Sequence, residues 1–199
     1  MAMSIDKLKK ILRGRQMPPD VEPPVMAMRK SMEKMAFKAA NDIEIETVTV
    51  AGRDAEWVRA PGSQTERAIL YLHGGGYVMG SINTHRSLAG EISRAAQATV
   101  LLVDYRMAPE DPFPAAVDDG VASLQWLIDQ GYAAKNIAVG GDSAGGGLAL
   151  ATLVAARDKD VPMPGAAVAI SPWLDMTCSN ESYQTRADAD PMVTSYGLK

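Results

Sequence analysis

The chain has 199 residues, 47% hydrophobic and 22% charged, a composition typical of one globular domain with a sizeable core. Its 20 basic and 24 acidic residues give a net charge of −4, so no basic field gathers phosphates and nucleic acid is disfavoured as a partner. The single cysteine, Cys178, has no partner for a disulfide and no metal-ligand spacing, so we expect an inert thiol and no metal. No apolar run resembles a signal peptide or membrane span, which favours a cytoplasmic protein without stable membrane insertion.

Two helical patterns precede the predicted sheet. The first places apolar residues at helical spacing over 5–15 among lysines and arginines, and we expect it to pack on its own domain rather than on a membrane. Prolines 18, 19, 23 and 24 then interrupt the chain, and a second pattern runs to about Ala40. Its methionines form a stripe suited to a packing face or to an acyl pocket. We interpret residues 1–40 as a helical cap or lid.

Residues 41–199 have the periodicity of an α/β core. Two antiparallel strands are predicted near 43–50 and 55–59. Four apolar segments then alternate with three helical ones, which predicts a mostly parallel sheet with helices on both faces. The predicted strands are 68–72, 99–105, 136–141 and 167–173, and the predicted helices lie near 84–97, 115–130 and 145–158.

Residues 141–145, GDSAG, have the G-x-S-x-G form of a nucleophile turn between a strand and a helix. Glycines flank Ser143 because bulky neighbours would collide at so tight a turn. The serine then stands at the carboxyl end of the sheet, where open α/β sheets bind ligands. The alternative is a serine that only caps the following helix.

A second motif decides between these readings. Residues 73–77, HGGGY, directly follow a predicted strand, where an oxyanion loop is expected. Its glycines let backbone N–H groups turn outward, so we predict an oxyanion hole formed by the amides of Gly74, Gly75 and Ala144. A phosphate-binding loop is disfavoured because no Lys-Ser/Thr pair and no G-x-G-x-x-G spacing follows.

Three segments resemble the hormone-sensitive-lipase-like family of α/β-hydrolase esterases: HGGGYVMGS at 73–81, DYRMAPEDPFPAA at 104–116 and GGDSAGGGLA at 140–149. The resemblance implies the α/β-hydrolase fold and the same site, with Ser143 as nucleophile. It also implies hydrolysis of short- to medium-chain carboxylic esters through an acyl-enzyme, without a cofactor. One departure is Asp111, where relatives commonly have histidine, and we expect little catalytic consequence.

The general base is missing from this pattern. In such a fold the histidine and its carboxylate follow the serine along the chain, but the two histidines, His73 and His85, both precede Ser143. We interpret both as structural and expect the last strands, with the triad Asp and His, to be absent from the chain. The segment 167–173 would then be an exposed apolar edge, favouring a second copy or a complementing C-terminal fragment as partner.

The sequence therefore predicts a serine carboxylesterase whose small-molecule substrate is an ester, and whose 199 residues alone are nearly inactive. The alternative is a non-catalytic protein on the same scaffold that binds a small apolar ligand. The missing histidine favours this alternative, whereas the intact serine and glycine motifs favour the enzyme.

Overall fold

The computed structural model describes residues 4–14, 24–191 and 193. Its centre is a six-stranded sheet in the order β1-β2-β4-β3-β5-β6. The strands are β1 (Glu44–Val50), β2 (Arg53–Arg59), β3 (Gln64–Leu72), β4 (Ala98–Val103), β5 (Ile137–Asp142) and β6 (Ala166–Ile170). The antiparallel pairs are β1 with β2 and β2 with β4, and all other neighbours are parallel. The predicted α/β fold class is confirmed.

Six α-helices lie in the described ranges: α1 (Ile5–Arg13), α2 (Val25–Glu33), α3 (Ile82–Ala96), α4 (Ala115–Asp129), α5 (Ala144–Asp158) and the short α6 (Ser182–Thr185). The start of α3 is fixed by a capping box, in which the side chains of Ser81 and Thr84 each accept from the other residue's backbone amide. The three helices predicted between strands are confirmed to within about three residues, the usual uncertainty of helix ends. No helix in the described ranges is both long enough and apolar enough to cross a bilayer.

Alternation along the central strands divides the core between the two faces of the sheet. Leu70 and Leu72 of β3 pack in one cluster with Leu124 of α4 and Leu148 of α5. Tyr71, which lies between them in the strand, packs in a second cluster with residues such as Ala89 of α3. Successive strand side chains point to opposite faces, so helices cover both, as predicted.

The sixth strand differs from its predicted extent. It ends at Ile170 rather than at residue 173, because Ser171 has a φ of 45° and Pro172 has no N–H to pair. Val168 and Ile170 are 55% and 44% exposed, and no described strand pairs with the outer side of β6. The expected exposed apolar edge is therefore present in this chain.

The chain separates into two compact units, residues 25–173 and residues 1–24 together with 174–199. The larger unit contains the sheet and also α2. In the smaller unit the Arg13 guanidinium donates to the Asp188 carbonyl at 2.6 Å. The predicted boundary near residue 40 between a cap and a core stays a prediction, and prolines 18, 19 and 23 lie outside the described residues.

Candidate active site

The predicted nucleophile occupies a one-residue turn. β5 ends at Asp142 and α5 begins at Ala144, so Ser143 alone reverses the chain, with φ 53° and ψ −121°. Its amide donates to the Ile170 carbonyl at 2.9 Å, and its carbonyl accepts from Trp173 at 2.9 Å. The residue is exposed, and its hydroxyl makes no capping bond to α5. A left-handed backbone at a residue other than glycine costs about 1–3 kcal/mol, and helix capping does not explain it here.

The glycines around the serine are required by close packing of backbone on backbone. A Cβ added to Gly141 or Gly145 would overlap the carbonyl oxygen of Leu72. The same Cβ on Gly145 would also overlap the carbonyl of His73. The nucleophile turn therefore lies directly against the end of β3, where the glycine loop begins.

The glycine loop needs its glycines for a second reason. Gly75 and Gly76 have φ values of 133° and 65°, which other residues rarely adopt. A tight turn follows, in which the Val78 and Met79 amides donate to the Gly75 carbonyl at 3.2 and 3.0 Å. Because β3 and β5 are parallel neighbours, with Leu72 beside Gly141, the loop and the nucleophile turn leave the same edge of the sheet.

The amides predicted to form the oxyanion hole are not equivalent. Gly74 donates its N–H to Asp142 Oδ1 at 3.1 Å, so this amide is already occupied. Among the described residues, the amides of Gly75, Gly76 and Ala144 have no acceptor. The prediction of Gly74 as an oxyanion donor is thus at odds with this geometry, because its N–H already donates a hydrogen bond to the Asp142 carboxylate. The amides of Gly75 and Ala144 remain available to donate to an oxyanion.

Asp142 is the site residue that sequence reasoning missed. Its Oδ1 accepts from Tyr71 Oη at 3.0 Å and from Gly74, and lies 3.5 Å from His85 Nε2. Burial alone would raise the pKa of Asp142, but its hydrogen bonds and the charge of His85 together lower that pKa below its usual value. Burial raises the pKa of Tyr71, so its hydroxyl remains a donor. The carboxylate thus fixes the inner end of the glycine loop.

The sequence carried a signal for this role. Asp142 directly precedes Ser143, and adjacent residues at a sharp turn point their side chains apart. A carboxylate at the end of β5 can therefore reach the residues that follow its parallel neighbour β3, where Gly74 lies. Pairing of the carboxylate with a backbone amide across two strands depends on the strand order, which the spacing of motifs alone does not specify.

Both histidines have structural partners. His73 is fully buried, its Nδ1 donates to the Gly74 carbonyl at 3.0 Å, and its ring stacks on Tyr105 with centroids 4.3 Å apart. Burial lowers the pKa of His73 to about 4, so the ring is neutral at pH 7. The second histidine, His85, pairs with Thr84 through Nδ1 at 2.8 Å. No described side chain hydrogen-bonds to the Ser143 hydroxyl, so the described residues supply no general base.

Comparison with known proteins agrees with this architecture. Residues 69–198 match a family model described as alpha/beta hydrolase fold. The chain is 44% identical over 180 residues to an acetyl-hydrolase of Streptomyces hygroscopicus, covering 90% of this chain and 59% of that protein. A crystal structure of EstE5 soaked by p-nitrophenyl butyrate is 66% identical with a TM-score of 0.92, covering 98% of this chain and 65% of that one. An esterase from the bacterial hormone-sensitive lipase family is 45% identical with a TM-score of 0.91, covering 100% and 67%.

A mostly parallel sheet, a serine on a left-handed turn and a glycine loop beside it define an α/β-hydrolase, and the chain belongs to that family. The chain spans 59% of the acetyl-hydrolase and about two thirds of the solved structures. Its similarity to an enzyme of the hormone-sensitive lipase family confirms the resemblance that the three motifs predicted.

Proposed function

We propose that the protein hydrolyses carboxylic esters through an acyl-enzyme on Ser143. The observation that carries this proposal is the left-handed backbone of Ser143, which exposes a hydroxyl that caps nothing. Backbone strain of this kind persists where it serves a site, since a relaxed turn would be more stable. The start of α5 behind the serine favours negative charge as the reaction proceeds.

The reaction proceeds in two balanced steps. The Ser143 oxygen attacks the ester carbonyl carbon while a base takes its proton, and the resulting tetrahedral intermediate carries the charge on the former carbonyl oxygen. The bond to the alcohol oxygen breaks as the base returns the proton to the departing alcohol. Water then attacks the acyl-enzyme by the same route, releasing the acid and restoring the serine hydroxyl.

The oxyanion hole of this proposal is formed by the amides of Gly75, Gly76 and Ala144. We assign the Gly76 amide in place of the Gly74 amide that the sequence predicted, because the Gly74 N–H already donates to Asp142 Oδ1. Free amides cost no reorganisation when charge develops, and loss of one donor lowers turnover by about 10² to 10³.

The base of the triad lies outside the 199 residues in this proposal. Neither His73 nor His85 bonds to the serine, and both have other partners. The chain spans 59% of the acetyl-hydrolase it resembles, so activity is attributed to the full-length protein. The Asp and His of the triad then belong to residues beyond this chain.

The acyl group of the substrate is proposed to be short to medium in length. The similar proteins include an acetyl-hydrolase and an esterase crystal soaked by p-nitrophenyl butyrate. Tyr77 and Trp173 form an aromatic pair with ring centroids 6.1 Å apart near the start of α5. Burial raises the pKa of Tyr77 to about 12, so it offers a neutral, largely apolar surface to an acyl chain.

Hydrolysis of p-nitrophenyl acetate, butyrate, octanoate and palmitate by the full-length protein tests this proposal. We expect the largest kcat/KM for acetate or butyrate and none above background for palmitate. Saturable binding of these esters without turnover would support the alternative, a non-catalytic ligand-binding protein. The observation that favours the alternative is that no histidine in the described part of the chain hydrogen-bonds to the Ser143 hydroxyl.

A further inference from the structure

Arg29 on α2 makes an unusually dense set of contacts for a residue outside the motifs. Its Nε donates to the Val78 carbonyl at 2.6 Å, and its Nη2 donates to the Ala108 carbonyl at 2.9 Å. The same guanidinium makes a two-pronged pair with Glu110, at 2.8 and 2.7 Å. One side chain therefore joins α2 to two loops that are 30 residues apart in sequence.

Both loops belong to the surroundings of the glycine loop. Val78 is in the turn closed by the Gly75 carbonyl, so it fixes the outer end of the segment that carries the free amides. The Ala108 amide donates to the Tyr77 carbonyl at 2.9 Å. Arg29 thus hydrogen-bonds to both of the loops that this bond joins, at Val78 and at Ala108. A shift of its guanidinium would therefore move the turn over residues 75–79.

A second residue of α2 reinforces the same attachment. Glu33 accepts from the Ser81 hydroxyl and, at 2.7 Å, from Asn83 Nδ2. These two residues lie where the loop enters α3. One turn of α2 therefore binds the glycine loop both at Val78 and at its exit into α3.

The hydrogen-bonding geometry of the Arg29 guanidinium contributes more to these contacts than its charge. Glu110 is 54% exposed and Arg29 is 21% exposed, so solvent screens much of their electrostatic attraction. The planar guanidinium, however, supplies several donors in fixed directions, and two of them reach backbone carbonyls. A lysine ammonium has one nitrogen and cannot bridge the same three groups.

We propose that Arg29 is a positioning residue for ester hydrolysis, which holds the Gly75 and Gly76 amides in the geometry that binds the oxyanion. This inference rests on the proposed function. A residue that only anchored α2 would change stability alone. A positioning residue instead lowers kcat with little change in KM, because the oxyanion amides bind the transition state more strongly than the substrate.

The test compares Arg29→Gln and Arg29→Lys in the full-length protein with the control Arg59→Gln. Arg59 also pairs with carboxylates, Glu44 and Glu46, but on the outer strands of the sheet. With p-nitrophenyl acetate, we expect Arg29→Gln to lower kcat by about 10-fold to 100-fold at nearly constant KM, as for small displacements of reacting groups. The inhibition constant of a trifluoromethyl ketone, which forms a tetrahedral adduct, should rise in parallel. Arg29→Lys should recover little, and Arg59→Gln should match the wild type.

Two outcomes would overturn the proposal. One is an unchanged kcat in Arg29→Gln, and the other is a loss of activity equal to the loss of folded protein measured by circular dichroism. If the wild type itself hydrolyses no ester, the proposed function fails, and hydrogen exchange at Gly75 and Gly76 decides the role of Arg29. Faster exchange in Arg29→Gln than in Arg59→Gln would support positioning, and equal exchange would refute it.

Discussion

The nucleophile turn and the glycine loop lie side by side, but they are held in different ways. Ser143 is positioned by its own backbone, between a strand and a helix that end and begin within one residue of it. The loop that starts at Gly74 is positioned by side chains from distant parts of the chain, Asp142 at its inner end and Arg29 at its outer end. One half of the site is thus local in sequence, and the other depends on the assembled fold.

Removing the proposed nucleophile should have the largest effect on turnover. Ser143→Ala in the full-length protein is expected to lower turnover of p-nitrophenyl acetate by about 10⁶, as for loss of a triad serine. The fold should be unaffected, because the hydroxyl makes no capping bond. Ser87→Ala on α3 is the control. A variant that keeps more than a tenth of wild-type turnover would exclude Ser143 as nucleophile.

Disturbing the backbone packing of the turn should cost the most stability. Gly145→Ala places a methyl group against the carbonyls of Leu72 and His73, and we expect the free energy of unfolding to fall by about 3 kcal/mol. Gly14→Ala is the control, because a Cβ there meets atoms only at 3.5 and 3.6 Å. Urea unfolding measures both variants. Equal stabilities would show that the turn is not tightly constrained.

These two predictions concern the half of the site that the sequence specifies well. The G-x-S-x-G motif, its strand and its helix occupy consecutive residues, so periodicity and spacing predicted the turn at Ser143, between β5 and the first residue of α5, Ala144. The glycine loop does follow β3 as predicted, but the hydrogen bond that already occupies the Gly74 amide was not predicted. Whether Gly74 has a free N–H depends on Asp142, 68 residues away, and their hydrogen bond forms only after β3 and β5 become neighbours.

Arg29 was equally beyond reach of the sequence. The helical pattern of α2 was evident, although the helix ends at Glu33 and not near Ala40, and its methionines suggested a packing face or an acyl pocket. Nothing in that pattern indicated that an arginine on the same helix would bind Val78, 49 residues away. Local patterns predict elements, whereas side-chain to backbone bonds between elements require the topology.

Acid should lower the stability of the folded protein through His73, the first residue of the glycine motif. The folded pKa of about 4 lies below the ordinary value of 6.5, so between these pH values the unfolded chain binds a proton that the folded chain does not. The contribution of neutral His73 to the free energy of unfolding is complete above pH 6.5. It decreases by about 3 kcal/mol as the pH falls toward 4. Urea unfolding at pH 7, 5.5 and 4 should show this decrease in the wild type but not in His73→Gln. The same decrease in both proteins would rule out His73 as its source.

Neutralising Asp142 should have a smaller effect. In Asp142→Asn the amide oxygen still accepts from Gly74, but the bond loses its charge, worth about 1 kcal/mol. We expect kcat for p-nitrophenyl acetate to fall about tenfold, since a looser loop stabilises the oxyanion less well. Asp42→Asn, which breaks an exposed pair with Arg94, is the control. Equal activities in the two variants would mean that the glycine loop does not depend on its inner attachment.

The most direct test of the central claim is covalent labelling of the full-length protein with a fluorophosphonate, followed by mass spectrometry of its peptides. Fluorophosphonates phosphonylate a serine only when it is activated as a nucleophile and the adduct oxygen is stabilised. We expect one adduct, on Ser143, that is absent from Ser143→Ala and slower to form in Arg29→Gln. An unlabelled protein, or an adduct on another residue, would contradict it.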